Sequence, residues 1–294
     1  KYVDDSKYLI VFDELDEDYK DILNAEKHQE YTALLTSLFK AVQDIKALFP
    51  IGEYYIFPII FLRDDIYEIV SDPDKNKWSD FIIEIFWDTN EIKNLLAFRI
   101  SRALSFNNEI YDFKTAWNLV FDNELVRYGH RQQKKMEKFE YMLRSSMMRP
   151  RDFVRFLKDC THKAIKQNSK KATSKIVLQS DDSFSNYLRS ELEDEIHSVI
   201  PEISTIFDLI SHIRKQTIPI QEFNCAFNKA YEEGLIKQKN IDFVLRVLFH
   251  FSVIGNQPKQ INKQIFRYKM NDARFNTSEP IVIHRGLYKA LQII

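Results

Sequence analysis

Two adjacent carboxylates close a short apolar run near the start of the chain. Leu9-Ile10-Val11-Phe12 is followed at once by Asp13-Glu14. A buried strand that ends in acids holds them at one rim of a sheet. There Asp13 can hold Mg2+, directly or through water, and Glu14 can polarise an attacking water. A plain strand running into an acidic loop would read the same way. A second apolar run, residues 54–62, ends in Arg63. A guanidinium in that place can stabilise charge in a phosphoryl-transfer transition state. Paired with Asp64 or Asp65 it would be an ordinary surface arginine. A third cluster, Arg149-Pro150-Arg151-Asp152, puts two cations at a helix start, where dipole and free amides favour an anion. Solvated arginines at a helix cap are the plainer alternative.

The elements that must position these groups follow from periodicity. Residues 7–12 and 54–62 read as buried strands. Between them Tyr31, Leu34, Leu35, Leu38, Phe39, Val42 and Ile45 fall at helical spacing, and Pro50 stops that helix. Strand, helix, strand is a β–α–β crossover, and ligands of such sheets sit beyond the strands' carboxyl ends. Residues 79–106, 113–128 and 136–147 read as helices. Pro150 opens a strongly amphipathic one. Residues 166–175 (KQNSKKATSK) are polar and basic and read as a linker. Helices are then expected over 183–200, 201–213, 220–231 and 241–251. Strand-like pieces at 252–254, 264–268 and 281–284 and a last helix at 286–293 follow. Three helices and a small hairpin is the layout of a winged helix.

Composition bounds the answer. The 294 residues carry a formal net charge of -1, and 45% are hydrophobic. That excludes a disordered chain, a collagen-like repeat and a disulfide scaffold. Five glycines, where average usage predicts roughly 20, argue for a mostly helical protein. The expected class is therefore α/β with helix dominating. Cys160 and Cys225 form no framework, which suits a reduced, cytoplasmic compartment. No apolar run approaches the roughly 18 residues that span a bilayer. There is no initiating Met, so the chain reads as a piece of something longer. Charge is segregated. Residues 127–175 hold 15 bases and 4 acids, and residues 181–210 hold 8 acids and 1 base. A basic surface of this kind meets phosphate, on a nucleotide or on nucleic acid, or is simply a set of solvated helix faces.

The segments YLIVFDELDEDY (8–19), IIFLRDDIYE (59–68), MLRSSMMRPRDFVRFLKDC (142–160) and FRYK…PIVIHRGLYKAL (266–291) occur in an order that resembles a family of bacterial P-loop ATPases related to the STAND and AAA+ classes. The resemblance covers nearly the whole chain. It implies Walker B at the first segment, with Asp13 on magnesium and Glu14 as the catalytic carboxylate. It implies a sensor strand ending at Arg63, and a helical lid with Arg149, Pro150 and Arg151 near ATP. The last segment resembles a winged-helix domain. Three parts are implied: residues 1–148 of a nucleotide-binding core, a lid and linker at 149–178, and a helical, winged-helix-like region at 179–294. Such families hydrolyse ATP as a conformational switch, often in bacterial defence or signalling, as homo-oligomers or with a partner protein.

One part of the pattern is missing. A P-loop needs G-x-x-x-x-G-K-[ST]. None of Gly52, Gly129, Gly234, Gly255 and Gly286 is followed by Lys. The phosphate cradle is expected upstream, and this polypeptide by itself is expected to bind ATP poorly. A non-enzymatic module that binds nucleic acid or protein, built on a degenerate nucleotide core, is the competing reading. Minor candidates are Arg267 and Lys269 with His284-Arg285 for a nucleic-acid-binding wing, and Arg99 and Arg102 as cations offered to a neighbouring subunit.

Overall fold

The computed structural model describes residues 6–15, 25–50, 55–63, 66–67, 70–104, 108–258, 263–270 and 272–293. The chain divides into two compact units, Lys1–Glu84 and Ile85–Ile294. Helix dominates both the sequence and the structure, and the sheets are small.

In the first unit Tyr8–Phe12 forms β1, Ala25–Leu48 forms α1 and Ile56–Ile60 forms β2. The strands pair in parallel, with Tyr8 opposite Ile56 and Phe12 opposite Ile60. Parallel neighbours need a crossover, and α1 lies in that connection. Tyr31 and Leu35 of α1 are buried with Ile66, Val70 and Trp78, and Phe39 packs on this cluster with its ring 4.9 Å from that of Trp78. A single helical turn, Lys75–Trp78, supplies the tryptophan. The apolar side chains of β1 stay outside this core: Leu9 is 68% and Val11 52% exposed.

The second unit is built around one long helix. Its elements are α2 (Thr89–Leu104), α3 (Phe113–Val120), β3 (Val126–Tyr128), β4 (Lys134–Met136), α4 (Lys138–Leu143), α5 (Pro150–Lys166) and α6 (Ser174–His197). Then come α7 (Ile203–Ile213), β5 (Thr217–Ile218), α8 (Ile220–Glu232), α9 (Ile241–His250), β6 (Ile254–Asn256) and β7 (Ile281–Ile283). Helix α6 packs against α5, β3, α7 and the turn Arg285–Leu287. It buries Ile176, Val177, Phe184, Leu188, Leu192 and Ile196. Gly286 is required where that turn meets α6, since a Cβ there would lie 2.1 Å from the Ser145 carbonyl oxygen and 2.5 Å from Leu188. The last sheet is antiparallel in the order β5–β7–β6.

Several elements differ from the sequence expectation. Helix α2 begins at Thr89, not at 79: Ser79–Phe81 is a 3-10 turn and residues 82–88 form no helix. The expected helix 113–128 ends at Val120, and β3 follows it. Residues 166–175 do not separate domains. Helix α5 runs through Lys166, α6 starts at Ser174 with Thr173 as its cap, and the two helices pack together. Residues 149–178 thus lie inside the second unit, and neither 148 nor 178 marks the division between units. Residues 264–268 form no strand. Ile265 makes one bridge to Asn256, and Arg267–Lys269 is a 3-10 turn. The expected terminal helix is a 3-10 turn, Arg285–Leu287, followed by turns.

Candidate functional site

The ladder between β1 and β2 fixes where the acids go. Phe12 pairs with Ile60, and the Phe61 amide donates to the Phe12 carbonyl at 2.8 Å. Asp13 and Glu14 therefore leave the same carboxyl edge that Phe61, Leu62 and Arg63 leave. The turn is held locally. Asp13 Oδ1 accepts the Glu14 amide at 2.9 Å, and Glu14 adopts a left-handed backbone with φ 57°. One residue on, the Tyr31 hydroxyl donates to the Leu15 carbonyl at 2.7 Å, and Leu15 packs on the core of the first unit. Asp13 and Glu14 are exposed, and Arg63 is half-buried. Asp64, Asp65 and the acids at 16–18 lie outside the described residues.

This edge can supply one carboxylate oxygen to a divalent cation and a second carboxylate to a water. Mg2+ commonly takes one or two carboxylates and draws its other ligands from phosphate and water, so Asp13 fits that part. Among the described residues there is no group of three or more His, Cys, Asp or Glu that could hold a metal alone. The sequence contains no glycine-rich loop to grip a phosphate.

Arg149, Pro150 and Arg151 belong to the second unit, at the start of α5. Pro150 occupies the first turn, where its missing N–H costs nothing. Both guanidiniums face carboxylates of α6. Arg149 Nη1 lies 2.7 Å from Glu195, and Arg151 Nη1 lies 3.0 Å from Glu191, with Nη2 also on Glu195. Arg149 also pairs at 3.5 Å with Asp152. Burial works against the charge on Arg149, but Asp152 and Glu195 outweigh it and its pKa is raised. Burial pushes the Asp152 carboxyl up, against the pull of Arg149 and the Met147 amide. A phosphate docking at this helix start would have to displace carboxylates already in place.

The charged constellation that sequence reasoning missed lies on α6. Asp181 is buried in the helix's apolar stripe, accepts from the Tyr141 hydroxyl at 2.8 Å and pairs with Arg285 at 3.2 Å. Burial, with Asp181 beside it, pushes the Tyr141 phenol up to about 12. The Arg144 guanidinium stacks over Tyr128 at 4.1 Å and over Tyr141 at 4.2 Å. The signal was available, since an acid sits four residues after Val177 and seven before Leu188, among buried positions of one helix. His284 is buried, its Nδ1 accepting the Gly286 amide, and burial pushes its pKa down to about 3. Burial also raises the Cys160 thiol to about 12, which leaves it inert as a nucleophile. Arg102 donates to Asn108 and Arg99 is exposed.

Residues 90–193 match the family described as the FunZ-associated C-terminal helical domain. The chain is also 23% identical, over 306 aligned positions, to a protein of Escherichia coli (strain K12) whose name assigns it to transposon gamma-delta. That alignment covers 98% of this chain, and the chain spans 40% of the relative's length. No solved structure matches the chain. No helix among the described residues is long and apolar enough to cross a membrane.

Proposed function

We propose that the first unit is the carboxyl-terminal part of a P-loop ATPase core, and that the second unit carries what the nucleotide state controls. The observation that supports this is the parallel pairing of β1 with β2 through a helical crossover, with Asp13, Glu14 and Arg63 all following the same edge. Exposed apolar side chains on β1 add weight, because parallel sheets are normally covered on both faces. In this reading the phosphate-gripping loop comes from chain outside this sequence. ATP with Mg2+ would bring the transferable phosphoryl group. Asp13 would give the metal one oxygen, Glu14 would accept a proton from the attacking water, and Arg63 would face the charge that develops. The helices α7–α9 and the sheet β5–β7–β6 serve as a winged-helix-like module, a reading supported by the strand between the first two helices and the central place of β7.

The test uses the longer protein that contains both a P-loop and this chain. Glu14→Gln should lower ATP turnover by about 100-fold or more while ATP stays bound. Unchanged turnover would remove Glu14 from the chemistry. A second reading, a module without catalysis, is favoured by the ion pairs that occupy Arg149 and Arg151. Absence of ATP binding to the longer protein would select it.

A further inference from the structure

The strands β3 and β4 form an antiparallel hairpin, with Val126 opposite Met136, Arg127 opposite Lys135 and Tyr128 opposite Lys134. One face is anchored. Val126 is buried, and Tyr128 lies edge-on to Tyr141 under the Arg144 guanidinium. The base is clamped by the buried Lys138, which donates to the Asp122 and Glu124 carbonyls and pairs with the Asp122 carboxylate. Beyond that base the hairpin is basic throughout. Arg127, Arg131, Lys134 and Lys135 are exposed, and no acid occurs between Leu125 and Met136. None of the four is ion-paired among the described residues.

This arrangement opposes its own stability. Arg127 and Lys135 stand directly opposite each other, and like charges in that relation destabilise a strand pair. The tip places Arg131 and Gln132 in the left-handed region, φ 51° and 55°, where glycine or asparagine would be easier. Four exposed cations that no carboxylate neutralises make this ribbon a ready docking face for an anion.

We propose that this hairpin binds duplex DNA by entering the major groove. A two-stranded β-ribbon fits the major groove of B-form DNA, whereas that of an A-form RNA duplex is too deep and narrow for side chains to read. The four cations meet phosphates on the groove walls. Gln132 and Gln133 at the tip carry the donor and acceptor pair that can read an adenine edge. A lipid surface is disfavoured because residues 129–135 contain no aliphatic, Phe, Tyr or Trp side chain to insert. The inference is independent of the ATPase reading. It also moves the nucleic-acid contact away from residues 266–269, which form no wing strand.

Fluorescence anisotropy with the full chain and a labelled duplex of about 24 base pairs tests it, between about 50 and 200 mM salt. The variant Arg127→Gln/Arg131→Gln/Lys134→Gln/Lys135→Gln should bind at least about tenfold more weakly at the low-salt end. Its log–log salt slope should be shallower by about 3 to 4. A control lacking four other exposed cations, Lys215, Lys229, Lys239 and Arg246, should bind as the wild type does. Circular dichroism should show both variants folded, since all eight side chains are exposed. Absence of wild-type binding, equal losses in the two variants, or an unchanged hairpin variant would overturn the proposal. So would tighter binding to a single strand, to duplex RNA or to phosphatidylserine vesicles than to the DNA duplex.

Discussion

Strand β1 and helix α6 are both rich in apolar side chains, yet they meet opposite fates. Leu188 of α6 is fully buried, whereas Leu9 of β1 is 68% exposed. Helix α6 is surrounded by α5, β3, α7 and the turn at Gly286, so its unit closes around it. Strand β1 has α1 and β2 in its own unit, and the buried cluster there is made by α1 with Ile66, Val70 and Trp78. Apolar sequence thus marks where cover is needed, and the second unit supplies that cover from its own elements.

The sharpest way to break the comparison is at the buried charge of α6. Asp181→Ala strands Arg285 and the Tyr141 hydroxyl, and should cost about 4 kcal/mol in urea unfolding of the second unit. A loss below about 1 kcal/mol would mean that the pair is not buried as described. The leucines test the contrast directly. Leu188→Ala should cost about 3 kcal/mol in unfolding of the second unit, and Leu9→Ala under about 0.5 kcal/mol in unfolding of the first. Equal losses would show that β1 is covered after all.

The smallest effect concerns acid. His284 is neutral in the fold, pushed down to about 3 by burial, with Lys269, Arg149 and Arg285 adding to the shift. An unfolded histidine titrates near 6.5. Between those values the unfolded chain takes up a proton that the folded chain refuses. Stability present above about pH 6.5 is therefore lost as the pH falls, by up to about 1.4 kcal/mol per unit. Urea titrations near pH 7 and near pH 5 should show a weaker decline in His284→Gln than in the wild type. An identical decline would place the proton elsewhere.

The legibility of the sequence followed the same divide between patterned and unpatterned segments. The β1–α1–β2 unit could be read because two apolar runs flank a helix-spaced one, and α5 because Pro150 and a regular stripe set its start. The hairpin β3–β4 could not, because its exposed face is basic and its loop lacks the Asn-Gly signature of a tight turn. Helix α6 was expected to begin nine residues late, since Ser180, Asp181 and Asp182 hide the buried positions Ile176 and Val177. Strand β5 is two residues long, below what alternation can reveal. Of the candidate site, the shared edge of Asp13, Glu14 and Arg63 follows from strand polarity. The α6 carboxylates that engage Arg149 and Arg151, Glu191 and Glu195, come from 40 to 46 positions away, which local spacing cannot express.

Helix α6 is gripped at both extremities. Ser174 at its beginning donates to the Glu124 and Leu125 carbonyls at the foot of β3, and Glu191 and Glu195 near its end hold the arginines of α5. A straight helix of 24 residues is about 36 Å long and resists bending. One rigid element therefore joins the foot of the basic ribbon to the arginine pair at the start of α5.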